Sequence, residues 1–197
     1  MESDANEAVE SPTSVLSVSR APAPRSPWPS PEDAPTIVIV VTFGSVDVAD
    51  FIPAGATHVA HIAVGDVLGA SSTPSWFDGE YVQTQITHPT DLTAIGQAIN
   101  DVCSRWGDLD APTVCWFDSL DAALASSAPK DVFRFVHLLI GRLESVEASV
   151  YVHLDSSGVP DATVGKFARL FEHVRDERSS DRLPEATDDE VARLFGD

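Results

Sequence analysis

The sequence predicts an α/β fold in three layers, αβα, around a mainly parallel central sheet. Residues 36–43 and 113–117 are unbroken apolar or β-branched runs, the pattern of strands buried on both faces. Residues 90–106 and 130–146 repeat apolar side chains at helical spacing. Strands and helices then alternate along the chain, and right-handed crossovers leave few arrangements besides a layered parallel sheet.

Residues 1–35 are rich in Ser, Pro, Ala and Glu. The run from Ala21 to Pro31 cannot sustain a helix or a ladder, because proline lacks the backbone donor. This segment is expected to be a disordered, inert tail; the alternative makes Val15, Leu16 and Val18 a short docking stretch and Trp28 an anchor. The folded domain is expected over residues 36–175, opening with the strand 36–43. A short helix or irregular crossover follows at 46–51, then a strand at 58–64. His58 and His61 are three residues apart there, so they face opposite sides of the strand and cannot share a metal.

Residues 66–80 read as a loop pinned by Trp76 and Phe77, and residues 81–86 as a short strand. Thr90 is expected to cap the next helix, with Asp91 at the positive end of its dipole. Leu92, Ile95, Ile99, Val102 and Trp106 form its buried stripe. The strand at 113–117 ends in Asp118-Ser119, so a carboxylate stands at the carboxyl end of a central strand, where ligands dock in open α/β sheets. Residues 121–127 give a helical turn or loop. The helix at 130–146 is apolar around most of its circumference and is therefore buried. A strand at 149–154 ends in His153-Leu154-Asp155, and a third helix is expected over 161–175 with Val164, Phe167, Phe171 and Val174 on one stripe. After a polar stretch, residues 187–196 form a capped mini-helix, with Thr187 and Glu190 at capping-box spacing and Val191, Leu194 and Phe195 as an attachment face.

Twelve basic against 31 acidic residues give a net charge of −19 over 197 residues, and Lys130 and Lys166 are the only lysines. Acidity dispersed through a chain that is 43% hydrophobic matches adaptation to molar salt, which shortens the screening length to about 3 Å. It also disfavours nucleic-acid binding, which needs clustered Lys and Arg. Arg169, Arg175, Arg178 and Arg182 come nearest to a cluster and are expected to pair with Glu172, Asp176 and Glu177. Cys103 and Cys115 lack metal or redox spacing and read as core thiols. No uncharged apolar window is long enough for a membrane span, and the N-terminus has no basic and apolar leader, so a cytoplasmic location and no membrane partner are expected.

Residues 37–45, Ile-Val-Ile-Val-Val-Thr-Phe-Gly-Ser, resemble the second core strand of RecA/KaiC-type ATPases, and residues 114–124 resemble their Walker B strand with Asp118 as its carboxylate. With the helix at 90–106 and the His-Leu-Asp strand end in matching order, residues 36–175 are similar to RecA/KaiC-like proteins of halophilic archaea. The resemblance implies a RecA-like sheet. It also marks departures: no Gly-x-x-x-x-Gly-Lys-Ser/Thr loop occurs to cradle phosphates, and Gly44 stands where KaiC-like members carry a catalytic carboxylate. The resemblance therefore implies a sheet missing its first, P-loop strand and a pseudo-ATPase with no catalytic residue, no metal and no cofactor. It points to a regulatory or scaffolding role through a protein partner, with a homo-oligomer as a further expectation. The alternative is a residual nucleotide-binding protein or weak ATPase using a strand-end crevice of Thr42, Asp118, Ser119 and Asp155.

Overall fold

The computed structural model describes residues 13–21, 36–44, 46–65 and 73–178. Seven parallel strands form one sheet in the order β4-β3-β2-β5-β6-β1-β7. They are β1 (Ser14–Ser19), β2 (Ile37–Phe43), β3 (His58–Val64), β4 (Glu80–Ile86), β5 (Thr113–Phe117), β6 (Ala148–Asp155) and β7 (His173–Asp176). The helices are α1 (Leu92–Trp106), α2 (Leu120–Ser126), α3 (Pro129–Glu144) and α4 (Asp161–Ala168). The predicted class, a layered α/β domain on a parallel sheet, is the observed one.

Alternation along each strand divides the core in two. Ile37, Ile39 and Val41 of β2, Ala60 and Ile62 of β3, Cys115 and Phe117 of β5 and Val150 and Val152 of β6 face the helices, whose buried residues Ile95, Ile99, Leu120, Val136, Leu143 and Phe167 complete the larger cluster. Val38, Val40, Val59, Trp116 and Tyr151 face the other way. Among the described residues that second face is covered by the 3-10 helix Val48–Phe51, by Ile52 and by Phe77. Both cysteines are free and buried on the helix side.

The segment expected to be a tail contains β1, which overturns the disorder expected for Ser14–Ser19. This strand lies between β6 and β7, pairing Ser14–Ser19 with residues 150–155 and residues 15–18 with His173–Asp176. Three serines among its six residues make it look polar in composition, yet Leu16 and Val18 are fully buried. The sheet therefore has a strand ahead of Ile37.

Further expectations are corrected. The helix expected over residues 161–175 stops at Ala168 with Arg169 as its cap, and the chain turns into β7, because the free edge of β1 recruits residues 173–176. Val174, placed on a helical stripe, is a strand residue and 44% exposed. The cap of α1 is Asp91, whose carboxylate accepts the N–H of Ala94, rather than Thr90. Residues 121–127, expected as a helical turn or loop, belong to α2 up to Ser126.

Candidate functional site

A row of polar residues from six neighbouring strands crosses the sheet on the face away from the helices, lying toward the carboxyl ends of β1, β6, β5 and β2, at the middle of β3 and near the amino end of β4. Its members are Ser19 of β1, His153 of β6, Asp118 just past β5, Thr42 of β2, His61 of β3 and Tyr81 of β4. Register sets them side by side: Ser17 is level with His153, Val41 with Phe117, and Val40 with His61. Parity then turns them all to the same face.

Asp118 is the centre of the row. Its backbone N–H donates to the Val41 carbonyl at 3.0 Å, and its Oδ1 accepts the Phe43 N–H at 3.1 Å. It is only 6% exposed. Burial pushes its carboxyl up to about 8, against the pull of the Phe43 N–H, and nearby Asp121 raises it further. At neutral pH Asp118 is therefore mostly a neutral acid.

On one side His153 Nδ1 lies 3.2 Å from the Asp118 carbonyl, and Nε2 lies 3.0 Å from the Ser19 hydroxyl. Ser19 Oγ is also 2.7 Å from the Ala21 carbonyl, so with a neutral ring either the single hydroxyl proton faces two acceptors or, with the ring proton on Nε2, Nδ1 faces the Asp118 carbonyl without one. The chain of bonds is complete only with a protonated ring, whereas burial lowers the His153 pKa despite the bond to the Asp118 carbonyl and the carboxylates of Asp121 and Asp155.

On the other side Thr42 Oγ1 and His61 Nε2 are 2.8 Å apart, and His61 Nδ1 is 3.2 Å from the Tyr81 hydroxyl. His61 is buried, which lowers its pKa to about 4, and burial with the charge of Asp47 pushes Tyr81 to about 12. Both are neutral at physiological pH.

The four expected crevice residues do not converge on one empty space. Thr42 and Asp118 belong to the row. Ser119 instead caps α2 by accepting the Ala122 N–H and donates to Asp121 Oδ2, while Asp155 caps the 3-10 helix Ser156–Gly158 through the Ser157 N–H. Asp121, which the sequence does not single out, joins them: its Oδ1 accepts the Asp155 N–H at 3.0 Å. His61, Tyr81 and Ser19 are likewise site residues that sequence reasoning misses, whereas His153 is placed at its strand end without a role. The one available signal is a histidine inside an otherwise apolar strand, and it becomes interpretable only once register places it beside Thr42. His58, on the opposite face, packs edge-on against Trp106.

No group of three or more His, Cys, Asp or Glu arranged to hold a metal occurs among the described residues. Nor is any helix among them long and apolar enough to cross a membrane. Trp28, Val191, Leu194 and Phe195, the expected interaction residues, lie outside the described residues, as does Arg182. Of the arginine cluster, Arg178 forks onto Asp176 and reaches Asp161, partly as expected.

No curated protein matches the chain. A family model does, over residues 28–176, a span that begins after β1 and ends with β7. By that match across most of its length, the chain belongs to the family of unknown function DUF7504.

Proposed function

We propose that this chain is a RecA/KaiC-like domain that has kept the sheet and given up nucleotide hydrolysis, and that it serves as a regulatory or scaffolding protein through contacts with other proteins in the cytoplasm of a halophile. The observation that carries the reading is the state of Asp118. A carboxylate that recruits Mg²⁺-nucleotide must be ionised and open to the crevice. Asp118 is buried, held near neutrality by desolvation, and fastened to the Phe43 N–H. It works as a latch between β5 and β2.

Two sequence features support the same reading. The chain leaving β1 runs through Arg20-Ala21 into Pro22-Ala23-Pro24 and has no glycine-rich loop or lysine to hold phosphates. Gly44, in place of the second-strand carboxylate, has a φ of +80°, a conformation that strains any side chain. The alternative, residual nucleotide binding, draws on Asp118, Thr42 and His153 lying toward the carboxyl ends of neighbouring parallel strands.

Titration calorimetry with Mg²⁺-ATP in molar KCl, together with a turnover assay, separates the two. The expected result is no saturable heat and no turnover above background. Hydrolysis that disappears in Asp118→Ala and in Asp118→Asn would establish the alternative.

A further inference from the structure

The connections between the parallel strands follow one rule. Read from β4 toward β7, the connections β4–β5, β5–β6 and β6–β7 run forward across the sheet, and their helices α1, α2, α3 and α4 all pack on one face. The connections β2–β3 and β3–β4 run backward, and the residues they bury, Val48, Phe51, Ile52 and Phe77, pack on the other face. Right-handed crossovers demand that split, because reversing the direction across the sheet exchanges the face. The connection from β1 to β2 also runs backward, past β6 and β5. It therefore belongs on the face away from the helices.

The exit from β1 already points there. Ser19 turns its hydroxyl to that face, toward His153 Nε2, and the N–H and the carbonyl of Ala21 lie 3.1 and 2.7 Å from the same hydroxyl oxygen. Beneath the path from β1 to β2, Phe51, Trp116 and Tyr151 form an aromatic row, with successive ring centroids 6.1 and 6.5 Å apart, and Val15 and Val114 belong to the same cluster. A surface lined by aromatic rings suits a proline-rich segment, whose extended backbone is set before docking and loses little entropy on it. Six of the fourteen residues from Pro22 to Pro35 are proline, so this stretch can neither extend the ladder nor continue as a helix. We propose that residues 22–35 cross this face of their own sheet as an extended cover, with Trp28 seated against Trp116 and Tyr151.

Length and position agree with that path. Ser19 is level with Asp155, and Ile37 is level, through Thr113, with Ala148 at the other end of β6. Three strand spacings sideways and the length of β6 backward make a diagonal of roughly 27 Å. The chain between Ser19 and Ile37 spans about 55 Å at the ~3.1 Å per residue of a proline-rich segment, enough to climb over the side chains and return. Trp28 stands at the middle of that stretch, and Trp116 and Tyr151, level with each other on β5 and β6, stand under the middle of the diagonal. Pro27 and Pro29 restrict the backbone on both sides of Trp28, which lowers the entropy lost in seating it. A protein partner would reach Trp116 and Tyr151 only by displacing the segment. The inference rests on strand direction and not on Asp118, so it stands or falls separately from the loss of hydrolysis.

The test uses the wild-type full chain in molar KCl. Nuclear Overhauser contacts are expected from the Trp28 indole to the Tyr151 ring and to the Val114 methyls, both on the face away from the helices. In a mixture of labelled and unlabelled chains those contacts should stay within one chain. Trypsin supplies a second readout, because the Arg25–Ser26 bond lies inside the segment. It should be cut about tenfold or more slower than in a free peptide of residues 20–36, and Trp28→Ala should remove most of that protection. Trp28 contacts to helix-side residues such as Leu139, no contact from Trp28 to the sheet, contacts that cross between chains, or cutting at Arg25 as fast as in the free peptide would overturn the proposal.

Discussion

The carboxyl oxygen of Asp118 and the backbone N–H of Phe43 lie 3.1 Å apart, fastening β5 to β2 beyond the last rung of their ladder, Val41 opposite Phe117. The first prediction follows from the proton this group carries. The folded pKa is about 8 and the unfolded value near 4, so between those limits the folded state holds a proton that the unfolded state has released. Stability from this group is full below about pH 4 and is lost as pH rises toward 8. Asp118→Asn keeps an acceptor for Phe43 without the titration, so its stability relative to wild type should increase steadily from pH 5 to pH 8. Asp118→Ala leaves the Phe43 N–H unpartnered and should cost about 1–3 kcal/mol at pH 6. Urea melts across pH check both, and a pH-independent difference between wild type and Asp118→Asn would refute the neutral-latch account.

His61 sets the acid side with the opposite sign. Its pKa is lowered to about 4 in the fold and is near 6.5 when unfolded, so below 6.5 the unfolded chain binds the extra proton. Stability from this group is present above pH 6.5 and is lost as pH falls toward 4. His61→Gln retains polar contact with Thr42 and Tyr81 and should flatten that acid limb while leaving the alkaline limb of Asp118 in place. The two contributions offset each other between about pH 4 and pH 6.5 and leave the Asp118 decline uncompensated from there to pH 8, and NMR titration of the His61 ring gives the direct check.

How legible the molecule is in its sequence depends on whether a signal is local. β2 and β5 are buried strands that read as such from five or more apolar or β-favouring residues in a row. α1 is evident from its stripe of Ile95, Ile99, Val102 and Trp106. β1 escapes notice because serines and flanking prolines mask a six-residue strand whose place is decided by β6 and β7, far away in sequence. The same holds for the site. Asp118 can be placed at a strand end, but its neighbours His61, His153 and Ser19 join its row only through register. Its burial, which reverses its chemistry, comes from packing that no single stretch of chain contains.

Charge leads to a prediction about salt. With 31 carboxylates against 12 cationic side chains, self-repulsion opposes the compact state in dilute buffer and is screened as ionic strength rises. The melting temperature should climb steeply between low and molar KCl. A curve flat to within about 2 °C, which is less than ~1 kcal/mol for a chain of this size, would remove the halophilic explanation of the composition.

Gly44 ends β2 with φ +80° while its N–H donates to the Val64 carbonyl, so the turn needs a left-handed residue even though space for a side chain exists there. Gly44→Ala should therefore cost about 1–2 kcal/mol through backbone strain alone. Gly44→Asn, which tolerates that conformation better, should cost less. A neutral Gly44→Ala would show that the turn relaxes to another conformation, which chemical-shift analysis of residues 42–46 would reveal.

The last prediction concerns the N-terminal segment, because a strand between β6 and β7 cannot be removed as a tail can. Deleting residues 1–21 would strip β1 from the sheet, open the edges of both neighbours and expose the apolar surface that Leu16 and Val18 cover. Cooperative thermal unfolding should disappear. Deletion is a coarse instrument, so the argument is better tested at single positions. Leu16 is fully buried on the helix side of the sheet, and Leu16→Ala should cost about 2–5 kcal/mol. Ser17, half-buried on the other face, loses little volume as Ser17→Ala and should cost less than about 1 kcal/mol. Chemical-denaturation curves for the two variants would show that contrast of faces if β1 is seated as described. Equal, small effects would mean that residues 14–19 contribute little to the folded domain, and the sheet would then end at β6.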